Sequence, residues 1–230
     1  MRREAPSTPS SVVPQRVQAA KDAAYRVEIL DAAEEAFAAS GYVETGVRDV
    51  AAVVGVSLTT LYRYFPGKLD LYRGVHRRRL DDLMSRVASE GKQPREPVGR
   101  MLAGLRHHLV FHMEHPAYLR MHLREGVSWA NVRFLRTEEQ IEAWHGGYAR
   151  MSGTFARGIA HGVFGDDDPD LLTRTTLALM EAHLSWWVET GMDLAPQALC
   201  RKAFSRFVSA FCVGDARAAW LGRIERGDLP

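Results

Sequence analysis

The chain has 230 residues, 46% of them hydrophobic and 25% charged, with a net charge of only +2. That length buries a real core as one large domain or two modest ones, and the composition is ordinary for a soluble globular protein. No apolar run approaches the ~18 residues of a membrane span, and the opening MRREAPSTPSSVVPQR has no apolar stretch suited to a signal sequence, so a soluble, cytoplasmic protein without a membrane partner is expected.

Taken in chain order, residues 1–20 are rich in Ser and Pro and poor in apolar side chains, which predicts a mobile tail. From Arg26, the segment RVEILDAAEEAFAASGY sets Ile29, Leu30, Ala33 and Phe37 on one helical face and ends at Gly41-Tyr42. Val47, Val50, Ala51 and Val54 then recur at i, i+3, i+4 and i+7, one apolar face of a short helix that Gly55 stops. Ser57 supplies a cap for the next helix. There Leu61 and Phe65 share the buried face, which leaves Leu58, Thr59, Tyr62 and Arg63 near the start or on the opposite side. Two short helices across a tight glycine turn form a helix-turn-helix, whose second helix enters the major groove. Charge agrees: between Ser57 and Leu80 six basic residues face a single acid, Asp70, a local excess suited to a phosphate backbone.

Beyond the motif, a helix of about 68–89 links this head to the body. GKQPREPVG (91–99) breaks the chain and starts a helix with an i+4 stripe of Met101, Leu105, Leu109 and Met113. Pro116 opens another, to about Gly126, and a long helix of about 136–163 turns Ile141, Trp144, Tyr148, Met151 and Phe155 inward. DDDPD (166–170) then supplies a cap, Asp168, and a first-turn proline, Pro169. It lacks the spacing and glycine of a calcium loop. Helices of about 170–190, 196–212 and 215–224 complete the chain. No strand-like alternation or repeat stands out, so the fold class is all-α. Cys200 and Cys212, twelve apart in what reads as one helix, would stand ~18 Å apart, too far for a disulfide. Both are expected to be core thiols in a reducing compartment.

The stretch from Arg26 to Leu83 resembles the N-terminal domain of TetR-type transcriptional regulators. The likeness runs through the first helix, Thr45, Val47-Arg48-Asp49-Val50-Ala51, Gly55-Val56-Ser57 and Thr60-Leu61-Tyr62-Arg63-Tyr64-Phe65, and closes with Lys68 and Leu71. So many ordered matches make a far stronger signal than a single short pattern. The resemblance implies a three-helix DNA-binding domain at 21–72, after the 1–20 tail. A fourth helix joins it to an effector-binding and dimerisation domain at 73–230. Contacts to double-stranded DNA would fall on Thr45, Arg48, Ser57, Leu58, Thr59, Thr60, Tyr62, Arg63, Tyr64 and Lys68. The tyrosine hydroxyls and the lysine suit phosphates; Arg63 suits a guanine edge or a phosphate. Core packing is the alternative for Tyr64. Two positions depart from the family's habit. Gly46 stands where Ser or Thr is frequent, which removes a helix cap, and Leu58-Thr59 replaces a Lys-Gly-like pair, which suits contact with a thymine methyl.

In such regulators the body encloses an effector cavity. Here His108, Phe111, His112, Trp129, Phe134, Trp144 and Tyr148 are the candidate lining for a mainly apolar or aromatic small molecule, with simple core filling as the alternative for each. His108 and His112 are spaced for a metal, with His115 nearby, but no carboxylate or thiol joins them in a recognisable pattern, so no metal is assigned. Homodimerisation is placed on 170–190 and 196–212 through Leu171, Leu179, Trp186, Phe204, Phe207 and Phe211. No nucleophile elbow, phosphate loop, dinucleotide fingerprint or HExxH occurs, so neither catalysis nor a cofactor is expected. The expected function is a ligand-responsive repressor that binds a palindromic operator as a homodimer. A DNA-binding dimer without effector is the nearer alternative, and a helical metal-dependent enzyme the more distant one.

Overall fold

The computed structural model describes residues 12–89, 94–126 and 137–229. Among them lie α1 (Val12–Glu44), α2 (Val47–Val54), α3 (Leu58–Tyr64), α4 (Lys68–Ser89), α5 (Pro97–Glu114), α6 (Pro116–Arg124), α7 (Glu138–Ala160), α8 (Pro169–Glu189), α9 (Pro196–Phe211) and α10 (Gly214–Glu225). The fold is all α, an N-terminal helix-turn-helix head on a larger helical body. α1 begins at Val12, inside the stretch expected to be a tail, and its helical conformation breaks at Gly41, with φ 82° and ψ 171°.

The helix ends follow from local chemistry. Gly55 takes the left-handed conformation, φ 74° and ψ 28°, and its turn returns N–H groups to the last carbonyls of α2. The Ser57 hydroxyl accepts from the Thr60 N–H at 3.1 Å, capping α3. Gly46 precedes α2 with no side-chain cap, as its lack of a hydroxyl dictates. Prolines sit in the first turn of α5, α6, α8 and α9, where a missing N–H costs nothing. Asp168 accepts from the N–H groups of Asp170 and Leu171 at the start of α8.

Two apolar clusters organise the chain. In the head, Ile29, Ala33 and Phe37 of α1 pack with Val50 and Ala51 of α2, Leu61 of α3, and Leu71, Tyr72 and Val75 of α4. The same cluster continues into Phe111 of α5 and Ala117, Tyr118 and Met121 of α6, so α6 closes the head from the body side. A boundary between residues 72 and 73 therefore falls within α4, whose Val75 still belongs to the head's core. The body cluster gathers the stripe Met101, Leu105, Leu109 and Met113 with Phe155, Leu172, Met180 and Leu184, and with much of α9.

That last feature corrects the expected dimer surface. Phe204 and Phe207 are 0% exposed and Phe211 only 7%. The Phe207 and Phe211 rings meet each other at 5.0 Å and Phe155 of α7 at 6.0 and 5.7 Å, in tilted and edge-on arrangements. All three fill the protomer's own core and are not free to meet a second chain. On α8, Leu171 and Trp186 are exposed, and Leu179 is partly buried. Cys200 and Cys212 are buried free thiols, pushed up to about 11 and about 12 chiefly by burial, which leaves them inert at neutral pH.

Candidate DNA-reading head and body cavity

On the head's outer face, Arg48, Ser57, Thr59, Tyr62 and Arg63 are exposed, while Leu58, Thr60 and Lys68 are half-buried. The other two expected contact residues face inward. Thr45 is buried, and its hydroxyl donates to the carbonyls of Gly41 at 2.7 Å and Ala36 at 3.1 Å. The Tyr64 ring lies in the head's core and its hydroxyl donates to Asp22 at 2.6 Å. Arg63 donates to that hydroxyl at 2.6 Å and stands 3.6 Å from Asp22, so α1's first turns are tied to the end of α3. The Tyr64 hydrogen bond is the first cause that holds Asp22 below the usual carboxylate range, with Arg63 contributing less. Lys68 donates to the Val43 carbonyl at 2.8 Å and sits 4.8 Å over the Tyr42 ring. Its charge is therefore fixed where α1 ends and α4 begins.

In the body, a cavity of about 710 Å³ opens between α4, α5, α6, α7 and α8. His108, Phe111, His112, Trp144 and Tyr148 all line it; Trp129 and Phe134 lie outside the described residues. The volume falls in the ~300–1,000 Å³ range of small-molecule sites. Sequence reasoning missed its α4 wall of His76, Arg79, Leu80, Leu83 and Met84. A signal was present: His76, Leu80, Leu83 and Met84 recur at i, i+4, i+7 and i+8, the period of one inward face.

The histidines along the cavity are mostly structural donors and acceptors. His112 Nδ1 is 2.9 Å from the His108 carbonyl, which can only accept, so that nitrogen carries the proton. Burial, reinforced by neighbouring His112, drives His108 well below the ordinary imidazole range and keeps it neutral at pH 7. His115 is 2.9 Å from Asp82, a carboxylate brought from α4. Its pKa is still lowered, because burial and Arg79 together outweigh that partner. Among the described residues no group of three His, Cys, Asp or Glu is arranged to hold a metal ion. Where the cavity meets the head, His76 lies 3.0 Å from the Tyr118 hydroxyl and 3.1 Å from Glu125, and the Tyr72 hydroxyl donates to the same carboxylate. Across the cavity, Tyr148 donates to Asp170 at 2.5 Å; desolvation first, then this bond, pushes its phenol up to about 12.

A helix-turn-helix head carried by α4, with α4 also forming one wall of a body cavity, defines a one-component DNA-binding regulator. The description "Bacterial regulatory proteins, tetR family" matches residues 29–75, and "Tetracyclin repressor-like, C-terminal domain" matches residues 94–210, half of the chain. The chain belongs to the TetR family of transcriptional regulators. Family and fold both point to a regulator and away from an enzyme.

Among curated proteins, the HTH-type transcriptional activator FasR of Mycolicibacterium smegmatis is 42% identical over 62 residues, which cover 27% of this chain and 28% of that protein. The ketosteroid transcriptional regulator KstR2 of Mycobacterium tuberculosis has a similar structure, with TM-score 0.67 and 22% identity over 82% of this chain and 95% of that one. A Saccharomonospora viridis protein described as a transcriptional regulator, solved in complex with choline, gives TM-score 0.58 and 18% identity over 82% and 98%. Identities this low speak for the fold alone. No helix among the described residues is long and apolar enough to cross a membrane.

Proposed function

We propose that this protein is a cytoplasmic, ligand-responsive repressor that binds a palindromic DNA operator as a homodimer and is released when a mainly apolar small molecule fills the body cavity. The observation that carries the reading is the shared wall: the helix that carries the head also borders the cavity, through His76, Leu80, Leu83 and Met84. A ligand that prefers one position of α4 shifts the population of head spacings, and DNA fits only one spacing. The sizeable cavity favours this sensor over a dimer with a filled body.

In this reading the exposed Arg48, Thr59, Tyr62 and Arg63, with Ser57, Leu58, Thr60 and Lys68, face the DNA. Thr45 and Tyr64 act from behind by holding the helix ends. The second chain packs on the outer side of α8, around Leu171 and Trp186, whose exposure of 53% and 42% is unusual for large apolar side chains. A two-fold dimer of this kind matches inverted half-sites. The test is selection of binding sequences from a random duplex pool, followed by sedimentation of the selected complex. Inverted repeats bound by two protomers are expected; an asymmetric site bound tightly by one protomer would overturn the assembly.

Activation is the second reading, favoured by 42% identity over 62 residues to a protein named as an activator. The sign of regulation depends on where the operator lies relative to the promoter, which the head does not encode. Transcription in vitro from the selected site, with and without the protein, separates the two.

A further inference from the structure

The cavity's chemistry narrows the class of effector, a step that rests on the sensor reading above. Among the described residues its lining contains no aspartate or glutamate, yet it includes three arginines, Arg79, Arg100 and Arg150. Arg79 is already committed, donating twice to Glu34 at 2.9 Å. Arg100 and Arg150 differ: among the described residues neither has a carboxylate within ion-pair distance. Arg100 donates through Nε to the Pro94 carbonyl at 3.2 Å, a neutral acceptor. Arg150 lies along its own helix over Gly146 and Gly147, where side chains would meet its guanidinium nitrogens at 3.4 and 3.8 Å. Two small residues thus make room for a cation at the cavity's edge.

Arg100 stands on the α10 side of the body, away from the head, and Arg150 stands about midway along α7. Arg100 is one turn beyond Glu96, which pairs with Arg223 of α10 at 3.2 Å. Arg150 is little more than one turn before Phe155, whose ring packs on Phe211 of α9 at 5.7 Å. From Arg100 to His112 the α5 wall runs twelve residues, about 18 Å along the helix. Between those ends the wall is largely Met84, Met101, Leu105, Trp144, Met151 and Met180. Apolar and adaptable in the middle, with Arg79 of the α4 wall already paired to Glu34, Arg100 and Arg150 without an acidic partner, and no acid among the described lining residues, the space matches a ligand with an apolar body and an anionic head.

We propose that the cavity binds an amphiphile with a single anionic head, a carboxylate or phosphate monoester, held by Arg100 and Arg150, with its elongated apolar body lying between α4, α5, α7 and α8 and pointing toward the head. Arginine suits such a head because its planar donors match carboxylate and phosphate oxygens. The apolar end then reaches the α4 wall, where occupancy bears on head position.

The test compares four probes that share a twelve-carbon chain and differ only at the head: dodecanoate, dodecyl phosphate, dodecanol and dodecyltrimethylammonium. Each is titrated calorimetrically into the full-length protein below its micelle concentration. At least one anion should bind about ten-fold or more tighter than dodecanol, as expected for charge-assisted hydrogen bonds at a partly exposed site, and the ammonium should bind weakest. Whichever anion binds better identifies the head. Arg150→Gln and Arg100→Gln should each erase most of that preference and leave dodecanol binding unchanged, whereas Arg201→Gln, an exposed arginine outside the cavity, should leave the preference intact. Equal binding of dodecanol and both anions, or loss of preference in Arg201→Gln as well, overturns the anionic-head inference while the sensor reading stands. Binding of none of the four overturns the cavity as an amphiphile site, while the shared α4 wall still supports the sensor reading.

Discussion

Trp144→Ala separates a cavity wall from a packed core, and the structure sets its size. Trp144 is half-buried, borders the cavity, and meets aromatic rings at Tyr148, 4.9 Å away, and His145, 5.0 Å away. Its indole borders the cavity, so truncation loses the ring contacts with Tyr148 and His145 and some burial, about 1–2 kcal/mol. Phe155, eleven residues further along the same helix, is the internal standard: it is 0% exposed and packs on Phe164 at 5.0 Å, as well as on Phe207 and Phe211. Phe155→Ala should cost about 3–5 kcal/mol, the usual toll of a large core deletion. Urea unfolding of both variants at one protein concentration, followed by circular dichroism, gives the two differences directly. Trp144→Ala should also keep operator affinity while altering the response to any ligand of the cavity. A loss as large as that of Phe155→Ala, at unchanged urea slope, would mean that the indole is core and the cavity is closed around it.

Three further outcomes follow from local geometry. Lys68→Ala should weaken binding to all operators alike and lower the slope of log affinity against log salt by about one, since one phosphate contact is removed; an unchanged slope would remove Lys68 from the phosphate-binding set. Gly46→Ser should raise stability by about 0.5–1 kcal/mol in thermal melts, because it restores a cap at ordinary backbone angles and restricts the unfolded chain; its Cβ would lie 2.5 Å from an Asp49 oxygen, so that exposed side chain must swing aside, and a fall in melting temperature would show that it does not. The neutral burial of His108 makes stability fall with acid: with a native pKa far below the ordinary 6.5, the unfolded chain binds the extra proton, so stability is full above about pH 6.5 and is lost as pH drops beneath it, by about 1.4 kcal/mol per unit. Unfolding curves from pH 7 to 5 for the parent and His108→Gln should converge toward low pH, and parallel curves would contradict the assignment.

What was legible in the sequence was whatever local spacing determines. The head is built from short-range rules: an apolar face at i, i+3, i+4 and i+7 in α2, a left-handed Gly55, a hydroxyl cap at Ser57. Each of these acts within a few residues, so the structure reproduces them nearly position by position. The dimer surface failed for the opposite reason. Phe204, Phe207 and Phe211 repeat at helical period, and that pattern states only that a face is covered, whether by the same chain or by another. Packing of α9 against α5 and α8 decides for the same chain. On α8 the neighbours Leu171 and Leu172, like Trp186 and Trp187, point about 100° apart around the axis, so one of each pair is buried and the other is left outside. Composition cannot distinguish the members of such a pair.

The cavity obeys the same logic. Methionine, tryptophan and histidine fill a core or line a void equally well, and a void exists only where five helix axes stand far enough apart to leave one. The absence of acids among its described lining residues is a property of the same arrangement: the lining residues come from five separate segments, and Glu114 of α5 and Asp170 and Glu181 of α8 lie on two of those helices without entering it. An acid count along the chain shows a nearly neutral protein, whereas among the described residues lining the cavity the arginines have no acidic counterpart. Charge selection by this body is therefore a tertiary property, set by which turn of each helix faces inward, and substitutions that rotate α5 or α7 should alter it even where no lining residue is changed.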